Sequence, residues 1–158
     1  MTHKDILLVE DNPDDVELTR LAFEEANVAN RMVVAGDGAE ALDYLFARGK
    51  HAGRDPSQLP AIVLLDLKLP RMSGLEVLEW MRTQPPLNSV RTVVLTSSSE
   101  ECDIRRAHAL GAAAYVVKPV DFIGLRGVIE AVLAFWEDPS SSAQAHLGRF
   151  AASVPAPR

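Results

Sequence analysis

The sequence predicts an α/β domain in which a five-stranded parallel sheet is covered by helices on both faces. Three observations carry that reading. Short, continuous apolar runs recur five times, each followed by a stretch with helical spacing. The first of them, Ile6 to Val9, lacks the polar alternation of a sheet with one wet face, so both of its faces are buried. A capping residue follows every run: Asn12, Asp37, Ser73, Ser98 and Asp121.

The first strand is Ile6 to Val9. Asn12-Pro13 then sets a cap and a first-turn proline, with Asp14 and Asp15 beside the helix N-terminus. Leu18, Leu21 and Phe23 carry that helix toward Asn27. Arg31 to Ala35 is the second strand, and Asp37 with Glu40 forms a capping box for a helix through Leu42 and Phe46. Residues 49–60 are a loop by composition. Ala61 to Leu65 is the third strand, and Ser73 with Glu76 opens a helix that Pro85 and Pro86 prevent from continuing. Val90 to Leu95 is the fourth strand, and a helix capped over Ser98 to Glu101 stops near Gly111. Ala112 to Val117 is the fifth strand, and the helix capped by Asp121 reaches Trp136. The domain therefore spans 1–137. Residues 138–158, rich in Pro, Ser and Ala, read as a mobile tail with no effector domain; a short helix over 144–150 is the minority reading.

Composition narrows the function classes. The net charge of -6 argues against non-specific nucleic-acid binding, which needs a basic face. The single cysteine, Cys102, excludes an internal disulfide and a CxxC metal site. The N-terminus has too short an apolar run for a signal peptide, and no run approaches a membrane span, so the cytoplasm is the expected compartment.

The informative residues stand where strands end. Ligands of parallel α/β sheets bind beyond the carboxyl ends of the strands. The first strand ends in Glu10 and Asp11, the third in Asp66, the fourth in Thr96 and the fifth in Lys118. Taken singly, each has a plain reading as a solvated loop residue or turn. Together, three carboxylates suit a hard divalent cation with oxygen ligands, Mg²⁺, which would offset their repulsion. Asp66 is then a nucleophile able to form an acyl phosphate, with Lys118 and Thr96 neutralising and hydrogen-bonding phosphoryl oxygens.

The motifs LLVEDN (7–12), LLDLKLPRMSG (64–74), VVLTSS (93–98) and AYVVKPV (114–120) resemble the receiver domain of bacterial two-component response regulators, in the right order over residues 5 to about 136. The resemblance implies a flavodoxin-like strand order 2-1-3-4-5. It implies that Asp66 accepts a phosphoryl group from a sensor histidine kinase. It implies that Asp11, Asp66 and the Lys68 backbone carbonyl bind Mg²⁺, with Glu10 acting through water. Thr96 and Tyr115 match the family's switch pair, in which Thr96 moves toward the phosphoryl group and Tyr115 rotates inward. The surface of the fourth helix, fifth strand and fifth helix would change. The Lys118–Pro119 bond is expected to be cis. Lys68 and Ser98 flank the expected path of the attacking water, so Lys68→Ala should alter dephosphorylation.

The long loop before the third strand, the stretch EDNPDDVELTRLAFEEA and the ending AFWED together resemble regulators paired with bacterial phytochromes. In the fifth helix, Val128, Ala131 and Phe135 form a second apolar stripe beside the one facing the sheet. That stripe predicts a symmetric homodimer, unless the tail folds back over it. The resulting expectation is a phosphoacceptor module that catalyses only its own phosphorylation and dephosphorylation. Its competitors are a relay or phosphate sink for another kinase, an Mg²⁺-dependent aspartyl phosphohydrolase and a phosphate-independent interaction module. The phosphohydrolase lacks the usual second acid just after its nucleophile, since Leu67-Lys68 follows Asp66.

Overall fold

Five parallel strands lie side by side in the order β2-β1-β3-β4-β5. They are β1 (Ile6–Val9), β2 (Met32–Ala35), β3 (Ile62–Leu65), β4 (Thr92–Thr96) and β5 (Ala114–Val117). Between and after them run α1 (Pro13–Glu25), α2 (Gly38–Leu45), α3 (Gly74–Thr83), α4 (Glu101–Ala109) and α5 (Phe122–Glu137). This computed structural model describes residues 4–137 and 147–152. The expected fold and strand order are those observed.

The period-two geometry of strands divides the core in two. Leu7, Val9, Val63, Leu65, Val94 and Tyr115 face α2, α3 and α4. Ile6, Leu8, Ile62, Leu64, Val93, Leu95, Ala114 and Val116 face α1 and α5. Every residue of β1, β3 and β4 is buried, which explains their unbroken apolar runs. Each such aliphatic side chain contributes about 1.5–3 kcal/mol on burial. The register aligns Val9 with both Ala35 and Leu65, so the strand ends fall level and their next residues meet at one edge.

Caps form where the sequence places them at four helices; at α5, Asp121 Oδ1 accepts from the Gly124 amide at 2.7 Å. Asn12 Oδ1 accepts from the Asp14 and Asp15 amides, Asp37 Oδ1 from the Glu40 amide and Ser73 Oγ from the Glu76 amide. α4 differs: its cap position is Glu100, with no side-chain capping bond. The Ser98 hydroxyl donates instead to Asp103 Oδ2.

Two expectations are corrected. The Lys118–Pro119 bond is not cis; the cis peptide among the described residues joins Pro85 and Pro86. The isomers of an X-Pro bond differ by only about 0.5–1 kcal/mol, so surroundings rather than the dipeptide decide. The stripe of Val128, Ala131 and Phe135 is not exposed either, with 1%, 0% and 6% accessibility. α5 has more partners than the sheet. Ala22 and Phe23 of α1 and Leu147 of the tail share its core, and the Phe150 ring lies against Gly127.

Residues 147–152 are therefore packed, against the expectation of a mobile tail. Leu147 and Gly148 are helical, Ala151 bridges Val116 antiparallel, and the Ala152 amide donates to the Tyr115 carbonyl at 2.6 Å. Residues 138–146 and 153–158, which hold the rest of the expected tail and part of its minority helix, lie outside the described residues.

Candidate functional site

The sheet ladder continues one residue past the strands and fixes the polar side chains at its edge. The Glu10 amide donates to the Ala35 carbonyl at 2.9 Å, the Asp66 amide to Val9 at 3.0 Å and the Lys118 amide to Thr96 at 2.7 Å. Each of these residues thus has an anchored backbone and a side chain projecting above the sheet.

The side chains converge. Carboxylate oxygens of Glu10, Asp11 and Asp66 all lie within 4.8 Å of one another. Asp66 Oδ1 accepts from the Thr96 hydroxyl at 2.7 Å and from the Lys68 amide at 3.3 Å. The Lys118 ammonium donates to Asp66 Oδ2 at 3.2 Å, to Asp15 Oδ2 at 2.9 Å and to Glu10. Glu10, Asp66 and Thr96 are buried, while Asp11 is open to solvent.

Burial and the neighbouring Asp66 charge push the Glu10 carboxyl up to about 8. Burial acts in the same sense on Asp66, but hydrogen bonds from Glu10 and Thr96 and the Lys118 ammonium outweigh it and hold Asp66 low. Glu10 is therefore the weaker acid of the pair. Lys118 is desolvated, yet its carboxylate partners hold its pKa above the ordinary lysine value.

This is a donor set that a hard divalent cation fits: three clustered carboxylates, one of which, Glu10, burial and its neighbour Asp66 hold above the usual carboxylate range. Glu10, Asp11 and Asp66 would hold such an ion. A folded pKa raised above the unfolded one means that the native state binds more protons between about pH 4.5 and 8. Metal-free protein should therefore lose stability as pH rises through that window. Glu10→Gln should flatten the loss, measured as Tm against pH in chelator. An unchanged slope in Glu10→Gln would assign the proton elsewhere.

Further hydrogen bonds join the loops around Asp66. The Tyr115 hydroxyl, from a fully buried side chain, donates to the Ser98 carbonyl at 2.8 Å, and the Ser98 amide donates to Thr96 Oγ1 at 3.4 Å. Tyr115 is thus already turned inward and Thr96 already lies on Asp66. The Ser98 hydroxyl donates to Asp103 Oδ2 at 2.7 Å, and the Lys68 ammonium lies 3.2 Å from the same oxygen.

The structure brings together Glu10, Asp11, Asp66, Thr96 and Lys118, with Lys68 on the loop after β3 and Tyr115 on β5 beside them; Pro119 follows Lys118 in a bond that is not cis. Val128, Ala131 and Phe135 lie in the core beneath α5, away from this edge. Sequence reasoning missed Asp15 and Asp103 as site residues. A partial signal for Asp15 existed: it stands in the first turn of a helix that starts at the sheet edge, and the rotation of that helix decides whether its carboxylate meets the edge.

A model of the response regulator receiver domain matches residues 6–130. The "Probable methanogenesis regulatory protein FilR2" of Methanothrix harundinacea is 40% identical over 131 residues, 83% of this chain and 82% of that protein. Response regulator Rcp1 of Synechocystis is 31% identical over 133 residues, 84% of this chain and 88% of that protein. The Mn²⁺-bound structure of Rcp1 has a TM-score of 0.78 at 29% identity, covering 87% of this chain and 97% of that one. The bacteriophytochrome response regulator RtBRR has a TM-score of 0.72 at 43% identity, covering 99% of this chain and 85% of that one. Among the described residues, no helix is long and apolar enough to cross a membrane.

Proposed function

The chain belongs to the response regulator receiver domain family, and on that premise we propose that it accepts a phosphoryl group on Asp66 from a sensor histidine kinase, a bacterial phytochrome, in an Mg²⁺-dependent reaction in the cytoplasm. The observation that carries this reading is the Asp66 carboxylate held between the Thr96 hydroxyl and the Lys118 ammonium, beside two further carboxylates.

An Asp66 oxygen attacks the phosphorus of the kinase's phosphohistidine. The new O–P bond forms as the P–N bond breaks, and the imidazole leaves with its electron pair. The attacking carboxylate is already ionised, so no base is needed. Lys118 neutralises charge on one phosphoryl oxygen, and Thr96 donates to another. Glu10, Asp11, Asp66 and the Lys68 carbonyl would hold Mg²⁺, which supplies charge neutralisation when bound. Residues 1–137 act as the receiver unit, and the output is a change in the α4-β5-α5 surface, biased through Thr96 and Tyr115. Homodimerisation there would use what the tail leaves open, such as Val117 and Ile123. The chain is not an enzyme in the turnover sense.

Phosphotransfer from purified, autophosphorylated bacterial phytochrome tests the pairing. Rapid transfer to this chain, faster than from an unrelated histidine kinase, is expected. Equal or absent transfer, to a chain that still accepts from acetyl phosphate, would favour the relay or sink reading with another kinase.

A further inference from the structure

Asp103 lies in the first turn of α4, where an acid would ordinarily face solvent and interact with the helix terminus. Here it is buried, at 8% accessibility, and turned toward the Asp66 edge. One of its oxygens, Oδ2, accepts from the Ser98 hydroxyl at 2.7 Å and pairs with the Lys68 ammonium at 3.2 Å. Lys68 belongs to the loop after β3, and its amide touches Asp66 Oδ1. Ser98 belongs to the loop after β4, and its amide touches Thr96 Oγ1, itself bonded to Asp66. A single carboxylate oxygen therefore ties together the two loops that flank the acceptor.

We propose that Asp103 is a positioning residue that sets the lifetime of the acyl phosphate on Asp66 by holding the Lys68 ammonium back from it. The proposal rests on the reading of Asp66 as the phosphoacceptor. The Lys68 side chain is 58% exposed, so its ion pair is weak and easily redirected. A phosphoryl group on Asp66 brings competing negative charge two residues away. While Asp103 keeps a share of Lys68, the approach to phosphorus stays open. Water then attacks, its oxygen bonding to phosphorus as the bond from phosphorus to the Asp66 oxygen breaks. The products are the free carboxylate and inorganic phosphate, and the surplus proton goes to solvent. Without the Asp103 charge, Lys68 settles on the phosphoryl oxygens and its long side chain obstructs the water.

The test is the first-order loss of the phosphoryl adduct, followed by intact mass after acetyl phosphate is removed. Asp103→Asn keeps the shape and can still accept from Ser98, but lacks the charge. It should slow the loss about three-fold, and Asp103→Ala should do likewise. Lys68→Ala should speed the loss, and adding Asp103→Asn to it should change nothing further. That dependence on Lys68 is what a merely loosened helix would not give. An unchanged rate in Asp103→Asn, or the same fold-change with and without Lys68, overturns the proposal while leaving Asp66 as acceptor. No adduct on the unsubstituted chain overturns both.

Discussion

Replacing Lys118 with alanine should lower the rate of phosphorylation by acetyl phosphate about 100-fold, the usual effect of losing one preorganised donor to developing charge. The same ammonium contacts Glu10, Asp15 and Asp66, so its loss leaves three acids with no cation among them. Breaking a largely buried ion pair costs about 3 kcal/mol. That cost should be largest near pH 8, where Glu10 also gives up its proton, and smaller at pH 5, where protonation of Glu10 relieves the repulsion. Mg²⁺ should restore part of the lost stability by taking the ammonium's place as countercharge. Thermal melts at the two pH values, with and without Mg²⁺, check this. A Lys118→Ala protein equally stable at both pH values and indifferent to Mg²⁺ would show that the acids are not coupled through Lys118.

Gly74→Ala should destabilise the domain by about 3 kcal/mol, lowering Tm by about 10 °C. A Cβ on Gly74 would stand 2.2 Å from the Asp66 carbonyl oxygen and 2.8 Å from the Leu67 Cα. Both obstacles are backbone, so no side chain can swing aside. α3 begins against the very segment that presents the acceptor, which gives the glycine of the LPRMSG motif a steric reason. The strain falls on Asp66 itself, so phosphorylation of the folded fraction should slow as well. Gly53→Ala is the control: nothing lies within 4 Å of its Cβ position, and its Tm should not move. Matched melting temperatures for the two variants would mean that the loop after β3 can retreat from α3.

The strand ends were legible in the sequence because a parallel sheet puts consecutive carboxyl ends on one edge, whatever the loops do. Glu10, Asp66, Thr96 and Lys118 needed only the strand boundaries and the strand order. Asp15 and Asp103 needed more. Both sit on helices, and whether a helical acid meets the edge depends on the helix's rotation and on side-chain reach. Asp103 is by position a first-turn acid of α4, which in sequence marks only a helix terminus. The stripe of Val128, Ala131 and Phe135 misled because a helical wheel shows which residues are apolar, not how many neighbours the helix has. With α1 on one side and residues 147–152 on another, α5 buries more than one face. The Lys118–Pro119 bond was beyond the sequence for an energetic reason, since the two isomers lie so close.

The most direct test of the central claim is intact mass after incubation with acetyl phosphate, with and without Mg²⁺, for the unsubstituted chain and Asp66→Asn. A single phosphoryl adduct is expected on the unsubstituted chain with Mg²⁺, and none without the metal or in Asp66→Asn. An adduct of equal yield in Asp66→Asn, or one formed equally well in chelator, would contradict the assignment of Asp66 as a metal-dependent phosphoacceptor.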